Sequence, residues 1–138
     1  MKGRFFIFLA IVSLLAVPLY FGITVKAQEA AALQVEIGVI CKNVVDREPV
    51  DSAESFEAAV GKLFCFTKIV GAQTPIEITH VWYFGDVERG RVTLSVEAAS
   101  WRTWSSKIIQ THEVGPWHVD VLGPDGTVLK TLNFTITQ

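Results

Sequence analysis

From residue 33 onward the side chains alternate with a period of two. Leu33, Val35, Ile37, Val39 and Cys41 are separated by Gln34, Glu36 and Gly38. A helix with one buried face needs a period near 3.6, so this pattern predicts a β-strand with one face in a core. The signal recurs along the chain. Lys62–Val70 and Ile76–Phe84 are rich in β-branched and aromatic residues. Arg91–Glu97 turns Val92, Leu94 and Val96 inward, and Trp101–Ile109 follows. Trp117–Leu122 sets Trp117, Val119 and Val121 on one face, and Thr127–Thr137 does the same with Leu132, Phe134 and Ile136. Gly71–Pro75, Gly85–Gly90 and Gly123-Pro124-Asp125-Gly126 punctuate the strands, the last suiting a type I turn. Residues 46–55 are polar, contain Pro49 and read as a loop. Asp51 or Ser52 is a candidate cap for a short helical turn through Val60, closed by Gly61. About seven short strands without a long helical pattern predict an all-β chain. The expected architecture is an antiparallel β-sandwich, immunoglobulin-like, with a small barrel as the competitor.

The 30 or so residues before this pattern are of another kind. Phe5–Val25 holds no charged side chain, behind the basic Lys2 and Arg4. Phe5–Val17 is continuously apolar and ends at Pro18, and Val25-Lys26-Ala27 offers small residues for a signal peptidase. Residues 1–27 therefore read as a secretory signal peptide, with Ala30-Ala31-Ala32 as a second cleavage position. About 20 apolar residues also span a bilayer, so an uncleaved anchor through residues 5–25 is the rival reading. Both readings export residues 28–138 across the cytoplasmic membrane as one β-domain, periplasmic or secreted, free or tethered. A lipoprotein does not fit, because Cys41 lies far downstream and Ile40 before it is large.

Without the leader, nine basic side chains face all 14 acidic ones, a net charge of −5. That argues against nucleic acid and against anionic membrane surfaces, both of which favour basic patches. Both cysteines, Cys41 and Cys65, stay in the domain. In an oxidising compartment the pair is a disulfide candidate, with two buried thiols as the alternative. A metal site is not expected, since no second cysteine pair or neighbouring histidine completes four ligands.

All four tryptophans, Trp82, Trp101, Trp104 and Trp117, fall in the domain. Trp101 and Trp104 are three apart, so a regular strand sends them to opposite faces. One then faces the core, and the other is exposed, covered by a loop or at an edge. The run Trp101-Arg102-Thr103-Trp104-Ser105-Ser106-Lys107 combines flat rings with donors on Arg102, Ser106 and Lys107, which suits a polar ligand with a flat apolar face. A charge-protected edge strand has the same composition. In His80-Val81-Trp82-Tyr83, His80 and Trp82 share one strand face, Val81 and Tyr83 the other. The chain has no Gly-x-Ser-x-Gly, phosphate loop or His-Glu-x-x-His. Ser105 or Ser106 beside a histidine is a nucleophile pair only in principle. Asn133-Phe134-Thr135 fits a glycosylation sequon, but it lies inside an expected strand.

Taken together, several motifs resemble the bacterial Domain of Unknown Function 2914. They are Cys65-Phe66-Thr67, Gly71-Ala72, His80-Val81-Trp82-Tyr83, the Trp101–Lys107 run and Gly115-Pro116-Trp117-His118-Val119-Asp120-Val121. The Asp125-Gly126 turn and Phe134 fit as well, so the resemblance spans about residues 35–137. It implies a small envelope β-domain with no established reaction, hence no catalytic residue to carry over. An aromatic often precedes the family's glycine and a basic residue often matches His118; here Glu113-Val114 precede Gly115.

The expectation is thus a non-catalytic binding module without a cofactor. It would present Trp101, Arg102, Trp104, Ser106, Lys107, His80 and Tyr83 to a glycan or an envelope protein. The alternative is a structural or assembly subunit that uses the aromatic patch as a protein interface.

Overall fold

A computed structural model describes residues 32–138. The leader and anchor readings fall outside the described residues. The described chain is all-β, with nine strands and a single 3₁₀ turn. The strands are β1 (Gln34–Val45), β2 (Glu48–Ser52), β3 (Ser55–Glu57), β4 (Lys62–Val70) and β5 (Ile76–Phe84). They continue with β6 (Val87–Val96), β7 (Ser100–Ile108), β8 (Gly115–Leu122) and β9 (Val128–Thr137). One sheet runs β2-β1-β4-β7 and the other β3-β9-β8-β5-β6. All pairings are antiparallel except the short parallel contact of β3 with β9.

The two sheets bury their facing sides against each other, giving a sandwich-like core. Ile40, Leu63 and Cys65 of the four-stranded sheet pack with Trp82, Trp117, Val119, Leu132, Phe134 and Ile136 of the five-stranded one. A second cluster joins Ile69 and Trp101 to Ile78, Val96 and Val121. Phe134 is central: Trp117 stacks on it at 5.9 Å and Trp82 meets it edge-on at 6.2 Å. Each large side chain buried this way contributes about 2–3 kcal/mol. At one side β1 and β9 approach so closely that a Cβ on Gly38 would lie 3.1 Å from Leu132 Cδ2.

The segment expected to be a loop, residues 46–55, is structured. β1 runs on to Val45, reverses over Asp46-Arg47 and returns as β2. Both turn residues have positive φ (50° and 62°), the geometry of the tight turn that matches strand twist. The expected helical turn shrinks to one 3₁₀ turn, Ala58–Val60, ended by Gly61 at φ 77°. The gap after β5 also closes to two residues, with Gly85 at φ 57°. In both places hairpin pairing, invisible to a local reading, recruits polar residues into strands. The last turn forms as expected, with Gly126 N–H donating to the Gly123 carbonyl at 3.0 Å.

The cysteines are not bonded; both are free and buried. The register gives the reason. Ile40 lies opposite Cys65, and Cys41 lies opposite Phe64. Ile40 and Cys65 share the core face, so Cys41, one residue on, points out of the other face. A disulfide cannot pass through the sheet. The intact mass without reductant is therefore expected to equal the reduced mass, with both thiols titrating after unfolding. A mass lower by two hydrogens would contradict the register.

Candidate functional site

β7 carries the Trp101–Lys107 run as the edge strand of its sheet. Its odd-numbered residues face the core and its even-numbered ones face outward, so one short segment builds two different environments.

On the core side, Ser105 is paired across from Cys65 and is almost fully buried. Its hydroxyl lies 2.7 Å from His80 Nδ1 and accepts from Trp82 Nε1–H at 3.1 Å. His80 Nε2 lies 3.1 Å from Thr67 Oγ1, which donates to the Thr103 carbonyl at 3.0 Å. The directions follow from counting protons. Thr67 has one and gives it to a carbonyl, so His80 Nε2 must donate to Thr67. His80 Nδ1 is then the acceptor, and Ser105 donates to it. The chain reads Trp82 to Ser105 to His80 to Thr67 to Thr103, every polar atom satisfied. His80 and Trp82 belong to β5, Thr67 to β4 and Ser105 to β7, so the chain ties the two sheets through the core.

His80 is fully buried, and burial pushes its imidazole pKa down to about 4. The Ser105–His80 contact has the reach of a nucleophile and base. Its surroundings differ from a catalytic pair: the far imidazole nitrogen meets a hydroxyl instead of a carboxylate, and both side chains are sealed from solvent. It is a locked core network. His80 is accordingly removed from the set of surface binding residues.

On the outer side of β7 stand Arg102, Trp104 and Ser106. Trp104 lies opposite Phe66 of β4, their rings stacked at 6.2 Å and 15°. Trp104 is half-buried and Phe66 is fully covered. Arg102 is also half-buried; its Nη2 reaches Glu48 Oε1 at 3.3 Å, and its Nε is buried without a partner. The Arg47 guanidinium sits 5.7 Å from the Trp101 ring centroid. Arg47 and Glu48 are at the tip of the β1–β2 hairpin, although β2 and β7 are opposite edges of the sheet. The hairpin therefore bends back across the outer face, and it is the cover that a half-buried Trp104 implies.

The remaining expected residues are dispersed. Trp101 packs into the second core cluster, its ring at the sheet edge. Lys107 lies alongside Gly90 of β6. Tyr83 is on the outer face of the five-stranded sheet, stacked on His118 at 4.6 Å, away from Trp104. The structure thus gathers Arg102, Trp104 and Ser106 on one face, Trp101 and Lys107 along the adjacent edge, and separates His80 and Tyr83. The residues missed were Arg47, Glu48 and Phe66; the pairing of β1 with β2 that positions the first two has no local signature beyond a polar stretch.

A buried carboxyl side chain, Glu113, organises the 109–114 loop. Glu113 accepts from the Gln110 backbone N–H at 3.0 Å, meets Arg89 Nε at 3.5 Å, and its carbonyl accepts from Trp117 Nε1–H. It is a loop staple that fixes Trp117. Among the described residues no group of three or more His, Cys, Asp or Glu is arranged to hold a metal.

Residues 75–136 match the model of a family described as "Protein of unknown function (DUF2914)". The matched segment, from β5 into β9, contains the His80–Tyr83, Trp101–Lys107 and Gly115–Val121 motifs. The Cys65–Thr67 and Gly71-Ala72 motifs precede it. No curated protein matches the chain.

Two outcomes follow from the network. Ser105→Ala orphans both Trp82 Nε1–H and His80 Nδ1, and is expected to cost about 3 kcal/mol in chemical denaturation. The His80 pKa is depressed on folding, so only the unfolded state takes up its proton first. The stability it contributes is whole above pH 6.5 and is lost as pH falls toward 4, about 3 kcal/mol in total. Unfolding free energies across that window should fall more steeply in the wild type than in His80→Gln; equal slopes would refute the assignment.

Proposed function

We propose that this chain is a DUF2914-like, non-catalytic binding module exported from the cytoplasm, and that it engages a protein partner at the outer face and free edge of β7. The observation that carries the reading is the half-buried Trp104, stacked on Phe66, on the same outward row of β7 as Arg102, whose Nε is buried without a partner. Tryptophan and arginine at partly desolvated positions are the residues that dominate protein interfaces. An edge strand alongside adds backbone donors and acceptors for strand addition. A glycan is the weaker candidate. A sugar platform needs an open ring face, whereas one face of Trp104 rests on Phe66. An open groove of about 620 Å³ between β1 and β9 is lined by no aromatic residue.

The structural or assembly reading has its own support in Val45, Val50 and Ile108, which are large apolar side chains left exposed. The strand order supports an immunoglobulin-like sandwich. Strands β1-β4-β7 oppose β9-β8-β5-β6 as the A-B-E and G-F-C-C′ strands of that fold do, with β2 and β3 as additions. Export rests on the reading of residues 1–27.

The test compares residues 28–138 with Trp104→Ala and Arg102→Ala on a glycan array and in cross-linked pull-downs from envelope extracts. Capture of a defined protein that drops at least tenfold in both variants is expected. Undiminished capture in both sinks the site assignment, and array binding lost in the variants would reverse the choice of ligand. Concentration-dependent self-association of the wild type would favour the assembly reading.

A further inference from the structure

The geometry points to the β1–β2 hairpin as a latched flap, closed over the outer face of the four-stranded sheet by the side chains of its tip. β1 is paired with β4 only as far as Cys41–Phe64, while its pairing with β2 continues from Cys41–Ser52 out to Val45–Glu48. Beyond Cys41 the hairpin is thus a two-stranded arm held to itself rather than to the sheet. Its tip is held at β7 by two contacts, Glu48 on Arg102 at 3.3 Å and Arg47 over Trp101 at 5.7 Å. Phe66 and Cys41, both on the face the arm crosses, have no solvent exposure.

The tip is built for these contacts at a backbone cost. Arg47 adopts φ 62°, a region that suits Gly or Asn, and glycine would relieve the turn while losing the guanidinium. Both contacts are electrostatic and partly solvated, with side-chain exposures of 35% for Arg102 and 60% for Glu48. Contacts of that kind are weak and weaken further in salt. The arm also carries the exposed Val45 and Val50. A two-stranded hairpin is marginally stable away from its sheet, so the open state is costly but reachable. Opening bares Phe66, Trp104 and the Cys41 thiol, whose pKa burial raises in the closed form. If β7 is the docking face, the flap regulates it, and in that respect the inference rests on the preceding proposal; the opening itself does not.

The two cysteines report on it independently. Cys41 lies on the flap side and Cys65 in the core, on adjacent strands. The full chain is labelled with N-ethylmaleimide under native conditions, and both thiols are followed by mass spectrometry. Cys41 is expected to react about tenfold faster than Cys65. Arg47→Gly with Glu48→Gln should accelerate Cys41 about tenfold further and leave Cys65 unchanged. In the unmutated chain, 0.5 M NaCl should raise the Cys41 rate alone, which keeps the test valid if the variant folds poorly. Equal rates at both thiols, or parallel acceleration of both, overturn the flap. Faster Cys41 labelling without any gain in partner capture leaves the flap standing and counts against the docking face.

Discussion

The hydroxyl of Ser105 is the point on which the two sheets agree. β5 delivers Trp82 and His80 into the core, and each brings a polar nitrogen that costs several kcal/mol if left dry and unpaired. The opposing sheet answers with Ser105 of β7 and Thr67 of β4, in an order that admits one protonation pattern. A slip of β7 by one residue would send Ser105 to the outside and put Trp104 in its place. The network therefore fixes register within the four-stranded sheet and the facing of the two sheets together. Apolar burial alone, which is non-directional, would tolerate neighbouring registers.

Because the network fixes β7 from the inside, the outward residues of the same strand are held on a rigid base. Arg102, Trp104 and Ser106 alternate with Thr103 and Ser105, so the surface residues inherit the precision of the core. The run from Trp101 to Lys107 is thereby accounted for by two demands at once. Half of it satisfies the inter-sheet chain, and half of it forms the stacked and charged outer face. A motif with such a double duty is specific as a family marker on structural grounds alone.

Much of this was legible in the sequence. β-branched and aromatic runs between turn residues located β4, β5 and β7, and period-two alternation located β8 and β9, nearly to their ends, and the odd spacing of Trp101 and Trp104 separated them to opposite faces. What was not legible has one physical origin, which is pairing between segments distant in sequence. Asp46-Arg47-Glu48-Pro49 is polar with a proline and lacks the usual Asn-Gly turn, so nothing local marks it as a hairpin. Strand parity also separates cysteines only once the β1–β4 register is known, so Cys41 and Cys65 looked compatible with a bond. His80 looked available for binding because its partners Thr67 and Ser105 lie 13 and 25 residues away.

The outer face explains why such a hairpin must exist. A sheet whose outward row includes Phe64, Phe66, Val39 and Trp104 is more apolar than a solvated face, and the edge strand β7 would leave it open to another chain. The domain can meet that liability with a permanent cover or with a partner. A permanent cover would extend the core with apolar contacts at its tip. Here the tip instead carries Asp46, Arg47 and Glu48, and it is fastened by charge at one end of β7. Charge fastenings hold a position without deep burial and yield to competing charges. That choice of chemistry is what a cover needs if it is to close over an apolar face and still be displaced from it.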